Sequence, residues 1–240
     1  MKITYIHHSS FLVETDSCYY LFDYEKGSLP AMDVEKPIFV FSSHGHHDHY
    51  NPEVFALLEG SGMQKVYGIL SDDIDNIADI ADIAGATRAE VLQVAPGKEY
   101  TLCLNQKLTT FRSTDLGVAF LIEDGEALIY HAGDLNDWVW AEESDAYNAQ
   151  MTLDNREQID LLADLLAGKL NRRAIDAAFV VLDPRQEKDY DRGLCYFLEH
   201  IPVKEVYPMH YWGKPEIIGR FLKDHPQYQG KVRGFSPVLF

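Results

Sequence analysis

The stretch Ser42-Ser43-His44-Gly45-His46-His47-Asp48-His49-Tyr50 constrains this chain more than any other part of it. It follows an apolar run, Pro37 to Phe41, that reads as a buried strand. It precedes Asn51-Pro52-Glu53, which reads as a helix start with Asn51 as N-cap and Pro52 at the first helical position. His44, His46, Asp48 and His49, all side chains that bind metals, therefore sit on one loop clamped at both ends. Along an extended backbone alternate residues point the same way, so His44 and His46 can face one ion. The turn that follows can swing Asp48 and His49 toward a second. A solvated histidine tract or an affinity tag is the alternative, but neither sits between a strand and a capped helix, nor includes this aspartate.

The segment His44-Gly45-His46-His47-Asp48-His49 resembles the signature of the metallo-β-lactamase superfamily. That resemblance implies an α/β fold: a four-layer αββα sandwich of two mixed sheets, with helices on the outer faces and metals at one edge. Because the fold needs most of the 240 residues, one domain spanning 1–240 is expected. Within the superfamily the ascorbate-phosphate-lactonase-like branch is the nearest likeness. His8-Ser9-Ser10-Phe11 is similar to a segment of that branch near the metals, and Pro208-Met209-His210-Tyr211 is similar to the stretch that supplies a late histidine ligand.

The resemblance also implies a ligand set. Asp48, His49 and His210 would hold one ion, and His44 and His46 would hold the other. The strand ending Ile129-Tyr130-His131-Ala132-Gly133-Asp134 resembles the segment whose aspartate bridges the two ions, which makes Asp134 the expected bridge. Most members supply a third histidine to the first ion where this chain has Arg112-Ser113-Thr114-Asp115. Asp115 is the replacement on hand, and a carboxylate binds zinc but suits harder ions better. The cofactors implied are two divalent ions, zinc in first place, with manganese or iron as alternatives.

Four further residues are candidates for the surroundings of the metals. His8 is a second-sphere or substrate group, or a surface turn histidine. His131 lies on the same strand end as Asp134. The apolar strand Ala177 to Leu182 ends in Asp183-Pro184-Arg185, where Asp183 can support the metals and Arg185 can bind an anionic group, or the two can form a structural ion pair. Trp138 and Trp140 either wall a pocket or anchor packing.

The remaining pattern supplies the scaffold. Lys2 to Ile6, Phe11 to Glu14 and Tyr19 to Phe22 read as a strand meander, and Val66 to Leu70 as another strand. Asp72 to Ala84 reads as a helix ended by Gly85. From Val91 to Tyr130 the texture is β, with strands at 91–94, 100–104, 107–111, 118–123 and 127–130 that complete one sheet and begin another. Ile159 to Leu170 and Asp189 to His200 read as helices, Lys204 to Tyr207 as a strand, Pro215 to Lys223 as a helix, and Val232 to Phe235 as a terminal strand.

Composition narrows the function classes. A net charge of −17 repels polyanions, and the chain carries no Lys/Arg-rich block, so nucleic acid is not an expected partner. The apolar runs are too short to span a bilayer and the first residues lack a signal-peptide core, so a cytoplasmic protein without membrane contact is expected. Cys18, Cys103 and Cys195 have no metal-type spacing and are expected to be reduced and buried. No heptad or apolar stripe indicates an oligomeric state. The expected function is metal-dependent hydrolysis of a small ester, lactone, amide or phosphodiester, with Asp48 steering the proton of the attacking water. The alternative is a metal- or ligand-binding protein that keeps the fold without the catalysis.

Overall fold

The computed structural model describes residues 1–75, 89–171 and 173–234. The chain divides into two compact units, Met1–Ala95 and Pro96–Phe240, each built on one six-stranded mixed sheet.

In the first unit the strands lie in sequence order: β1 (Lys2–His7), β2 (Ser10–Glu14), β3 (Tyr19–Phe22), β4 (Ile38–Ser42), β5 (Val66–Ser71) and β6 (Glu90–Val94). The first two pairings are antiparallel and the remaining three parallel. Strands β3 and β4 are buried along their whole length, which explains why they are continuous apolar runs rather than alternating ones. One face carries Leu21, Ile38, Val40 and Leu70 against Val54, Phe55 and Leu58 of helix α1 (Glu53–Gly60). The other carries an aromatic cluster in which Tyr20 stacks on Phe39 with ring centroids 5.7 Å apart and Phe22 lies 5.2 Å from Phe41. Pro52, not Asn51, stands at the N-cap position of α1, one residue later than the sequence suggests, and Asn51 Oδ1 accepts from the Glu53 amide at 3.0 Å just ahead of the helix.

The second unit runs β7 (Glu99–Thr101), β8 (Lys107–Arg112), β9 (Val118–Asp124), β10 (Ala127–His131), β11 (Ile175–Val181) and β12 (Val203–Met209), again in sequence order. Here the antiparallel part comes first, and β10, β11 and β12 are parallel. Helix α2 (Asp145–Gly168) connects β10 to β11, and α3 (Arg192–His200) connects β11 to β12. Helix α4 (Glu216–Asp224) follows, and Val232 adds a single bridge to Val206.

Several elements differ from the sequence reading. The strand expected at 100–104 stops at Thr101, because Leu102 and Gln106 close a tight turn with Asn105 at φ +66°; this leaves Cys103 exposed instead of buried. Helix α2 begins fourteen residues before Ile159, capped by Ser144, which accepts from the Tyr147 amide. Its first turns are polar, so apolar periodicity reveals only the part where Ile159, Leu162 and Leu166 are buried. Between β11 and α3 lies a 3-10 turn (Pro184–Asp189), and α3 starts at Arg192, three residues later than the helix expected from Asp189. The helix expected over Asp72–Ala84 lies largely outside the described residues, as does Phe235; Asp72 and Asp73 form a turn closed by the Ile74 amide on the Ser71 carbonyl.

At Gly68, in the middle of β5, a Cβ would stand 3.1 Å from the Phe55 ring and 3.2 Å from Val91. Overpacking of this kind costs roughly 1–3 kcal/mol. Gly68→Val is therefore expected to lower the melting temperature by several degrees without removing the secondary structure, as thermal denaturation followed by circular dichroism would show.

Candidate functional site

Parallel register generates the first unit's cluster. Phe22 of β3 is paired with Phe41 of β4, so the residues just beyond both strands, Asp23 and Ser43, emerge side by side. Asp23, fully buried and at φ +42°, accepts from the Ser43 amide and from Ser43 Oγ, each at 2.7 Å, and from His49 Nδ1 at 2.7 Å. The loop turns back because the His49 and Tyr50 amides both bond to the His46 carbonyl. One carboxylate thus fixes both ends of the histidine loop. With the His49 Nδ1 proton committed to Asp23, the lone pair sits on Nε2.

Around that anchor the other groups converge. His44 is fully buried, with Nδ1 3.0 Å from Ser43 Oγ and Nε2 3.0 Å from His46 Nδ1. Asp48 Oδ2 lies 3.5 Å from His8 Nε2 and 3.8 Å from His49 Nε2. His8 is itself buried at φ +49°, with its amide donating to the Tyr5 hydroxyl. His8, Asp48 and His49 each offer a donor atom within 4.8 Å of the others, as do His44 and His46. His7 points elsewhere, half-exposed and paired with Glu25.

The second unit repeats this logic at the carboxyl ends of its own parallel strands. Val181 of β11 pairs with Met209 of β12, so Asp183 and His210 emerge together. Asp183, fully buried, accepts from His210 Nδ1 at 2.9 Å, from Trp212 Nε1 at 3.2 Å and from Arg185 through the backbone amide, Nε and Nη2. Burial works to raise its pKa, but the hydrogen bonds from His210 and Arg185 outweigh it and hold the carboxyl at about 2. His210, at φ +64°, presents Nε2 to Asp134 Oδ1 at 3.4 Å.

Asp134 follows β10 through Gly133, whose φ of +52° suits glycine. Its backbone carbonyl accepts from Trp138 Nε1 at 3.0 Å and from Thr114 Oγ1 at 3.3 Å. Thr114 also bonds to the Asn136 amide and carbonyl, so the loop carrying Asp115 is tied to the loop carrying Asp134. Asp115 is exposed, with a carboxylate oxygen within 4.8 Å of one on Asp134. His131 is buried within the sheet against Phe179 and accepts from the Gly133 amide, which supports the Asp134 turn from behind.

Arg185 sits between two indoles, 4.4 Å from the Trp212 ring centre and 5.5 Å from that of Trp140, with its guanidinium bound to Asp183. The structural ion-pair alternative is thus the arrangement seen, while 44% of the side chain stays exposed beside a cleft of about 470 Å³. Trp138 packs edge-on against His210 and Trp140 stacks on Trp138, so packing and walling coincide. Sequence reading missed Asp23 as an orienting group; the available signal was an aspartate directly after one apolar strand, with a serine directly after the next.

Asp23→Asn is expected to place an amide NH₂ against His49 Nδ1, drive the ring proton to Nε2, and weaken metal binding about 10- to 100-fold with the fold retained. Metal titration of the two proteins checks this, and equal affinities would contradict it. Asp183, held below its unfolded value, contributes stability that is present above about pH 4 and lost as pH falls toward 2. Denaturation at pH 5 and pH 2.5 should show a loss of roughly 2 kcal/mol that is absent in Asp183→Asn.

A sequence profile described as "Beta-lactamase superfamily domain" matches residues 2–149. No curated protein matches the sequence. Solved structures with the same fold include CmlA, a diiron β-hydroxylase from Streptomyces venezuelae, at TM-score 0.58 and 12% identity over 97% of this chain. This chain spans only 52% of CmlA. Zn²⁺-bound PqqB from Methylobacterium extorquens matches at TM-score 0.53 and 16% identity, over 96% of this chain and 86% of that one. A diphosphatase from the PhnP family matches at TM-score 0.54 and 14% identity, over 96% and 83%.

Proposed function

Since the chain belongs to the β-lactamase superfamily, we propose that it is a metal-dependent hydrolase acting on a small ester, lactone, amide or phosphodiester. The observation that carries this reading is the pair of buried carboxylates, Asp23 and Asp183, each holding a histidine by Nδ1 so that Nε2 is the donor offered. Metal-ligating histidines are usually held in this way, which supports the reading. The donor set fits divalent ions: imidazoles suit zinc or iron, and added carboxylates extend the range to manganese.

The ligand set implied by the family resemblance is His44, His46, Asp48 and His49 from the first unit and Asp115, Asp134 and His210 from the second, which would together hold two ions. Such a centre supplies Lewis acidity and a water acidified to near-neutral pKa. The chain's own residues do the rest. Asp48, within reach of both His8 and His49, is placed to take the proton of the attacking water. His8 is placed to pass it on. Trp140 and the exposed flank of Arg185 border a cleft of a size for a small molecule; Glu142, Glu143, Asp145, Glu187 and Asp189 also line it, so an anionic group would have to be met by Arg185 itself. The likeness of His8-Ser9-Ser10-Phe11 and Pro208-Met209-His210-Tyr211 to the lactonase-like branch supports a small, polar substrate.

Elemental analysis of protein purified without chelator or tag is expected to give at least two ions per chain, and one fewer in Asp115→Ala than in the parent. Turnover of an ester, lactone and phosphodiester panel in ¹⁸O-labelled water should place label in the product and be abolished by His46→Ala. Bound metal without turnover of any class would favour the binding-protein reading, and oxygen consumption with label drawn from O₂ would favour an oxygenase.

A further inference from the structure

Helices α3 and α4 of the second unit bring together a third group of donors, distinct from those above. Asp191 stands at the N-cap of α3, Cys195 one turn further on the same face, and His225 at the C-cap of α4. Asp191 makes no cap hydrogen bond; its carboxylate turns aside to His225 Nε2 at 2.7 Å. Cys195 Sγ lies 3.6 Å from the same Nε2. One carboxylate oxygen, one sulfur and one imidazole nitrogen thus lie within 4.8 Å of one another, all half-buried. The Phe221 ring, 4.8 Å from that of His225, limits where the imidazole can go.

A catalytic Cys-His-Asp arrangement is the obvious rival, and the geometry argues against it. Such a triad needs the carboxylate on one imidazole nitrogen and the thiol on the other. Here both approach Nε2. Burial and the carboxylates of Asp191 and Glu199 also push the Cys195 thiol up to about 12, which removes it as a nucleophile. The same negative surroundings favour a cation. A tetrahedral ion with sulfur about 2.3 Å and nitrogen about 2.0 Å away sets those two donors about 3.6 Å apart. That is the separation found. The Asp191–His225 contact would need to open by roughly 0.6 Å for both to bind one ion.

We propose that Asp191, Cys195 and His225 form a separate site for a thiophilic divalent cation of the zinc class, clipping the start of α3 to the end of α4. Binding displaces the thiol proton to solvent, the Nε2 proton that His225 gives to Asp191 moves to Nδ1 as the ring changes tautomer, and water fills the remaining position on the half-exposed side. An ion bound only in the folded state raises stability by mass action, so the site acts as a structural clip.

Cobalt(II) separates this site from the histidine and aspartate clusters, which contain no sulfur. Titration of the full chain is expected to produce sulfur-to-cobalt charge-transfer absorption in the near ultraviolet. That absorption should vanish in Cys195→Ser, fall in Asp191→Asn and persist in Cys103→Ser, whose thiol is exposed. The rise in melting temperature with added Zn²⁺ should be smaller in Cys195→Ser than in the parent. Absence of the charge-transfer band in the parent, or its persistence in Cys195→Ser, overturns the proposal and leaves the hydrolase reading untouched.

Discussion

The structure of both clusters depends on one physical device, a fully buried carboxylate at the carboxyl end of a parallel strand. Burying an unpaired charge costs several kcal/mol, so Asp23 and Asp183 can exist only with their oxygens filled by donors. Asp23 is filled by Ser43 and His49, Asp183 by Arg185, Trp212 and His210. The requirement runs both ways. The donors stabilise the charge, and the charge fixes the donors' orientation, rotamer and proton position.

The strand order explains why the device occurs in both units. Each sheet combines an antiparallel stretch with a parallel one, and the clusters lie where parallel strands end together. In such sheets the carboxyl ends share an edge, so residues far apart in sequence emerge as neighbours. Pairing of Phe22 with Phe41 and of Val181 with Met209 sets which residues meet. A slip of one residue in either pairing would turn the aspartate away from its histidine. The apolar packing that holds register, including the aromatic cluster of Tyr20, Phe22, Phe39 and Phe41, therefore acts directly on the chemistry.

What the sequence makes legible follows from distance along the chain. His44, His46, Asp48 and His49 lie on one loop, and their spacing alone points to metal chemistry. Most strand boundaries follow from apolar runs and turn residues, whereas the two mixed sheets are implied by the family resemblance. Asp23 is not legible, because its partners lie twenty or more residues away and depend on a parallel pairing that periodicity does not specify. The first half of α2 is hidden for a different reason: its buried face is short and its exposed faces are polar, so nothing repeats at 3.6 residues. Cys195 looks inert for the first reason again, since its partner His225 is thirty positions further on. The weight of Asp134 and His210 came from family resemblance rather than from pattern.

The candidate ligands differ among themselves in how freely they can change: His44, His49, Asp134 and His210 are buried, and only His46 and Asp115 are exposed. Asp23, Asp183 and His44 are sealed inside their units, whereas His46 and Asp115 stand at the surface. A surface substitution away from packed features usually alters stability by less than about 0.5 kcal/mol, while loss of a buried charged anchor costs several times that. The exposed donors can therefore drift between nitrogen and oxygen while the scaffold stays folded. A chain built in this way can exchange a donor at its rim while the sealed carboxylates keep its shape.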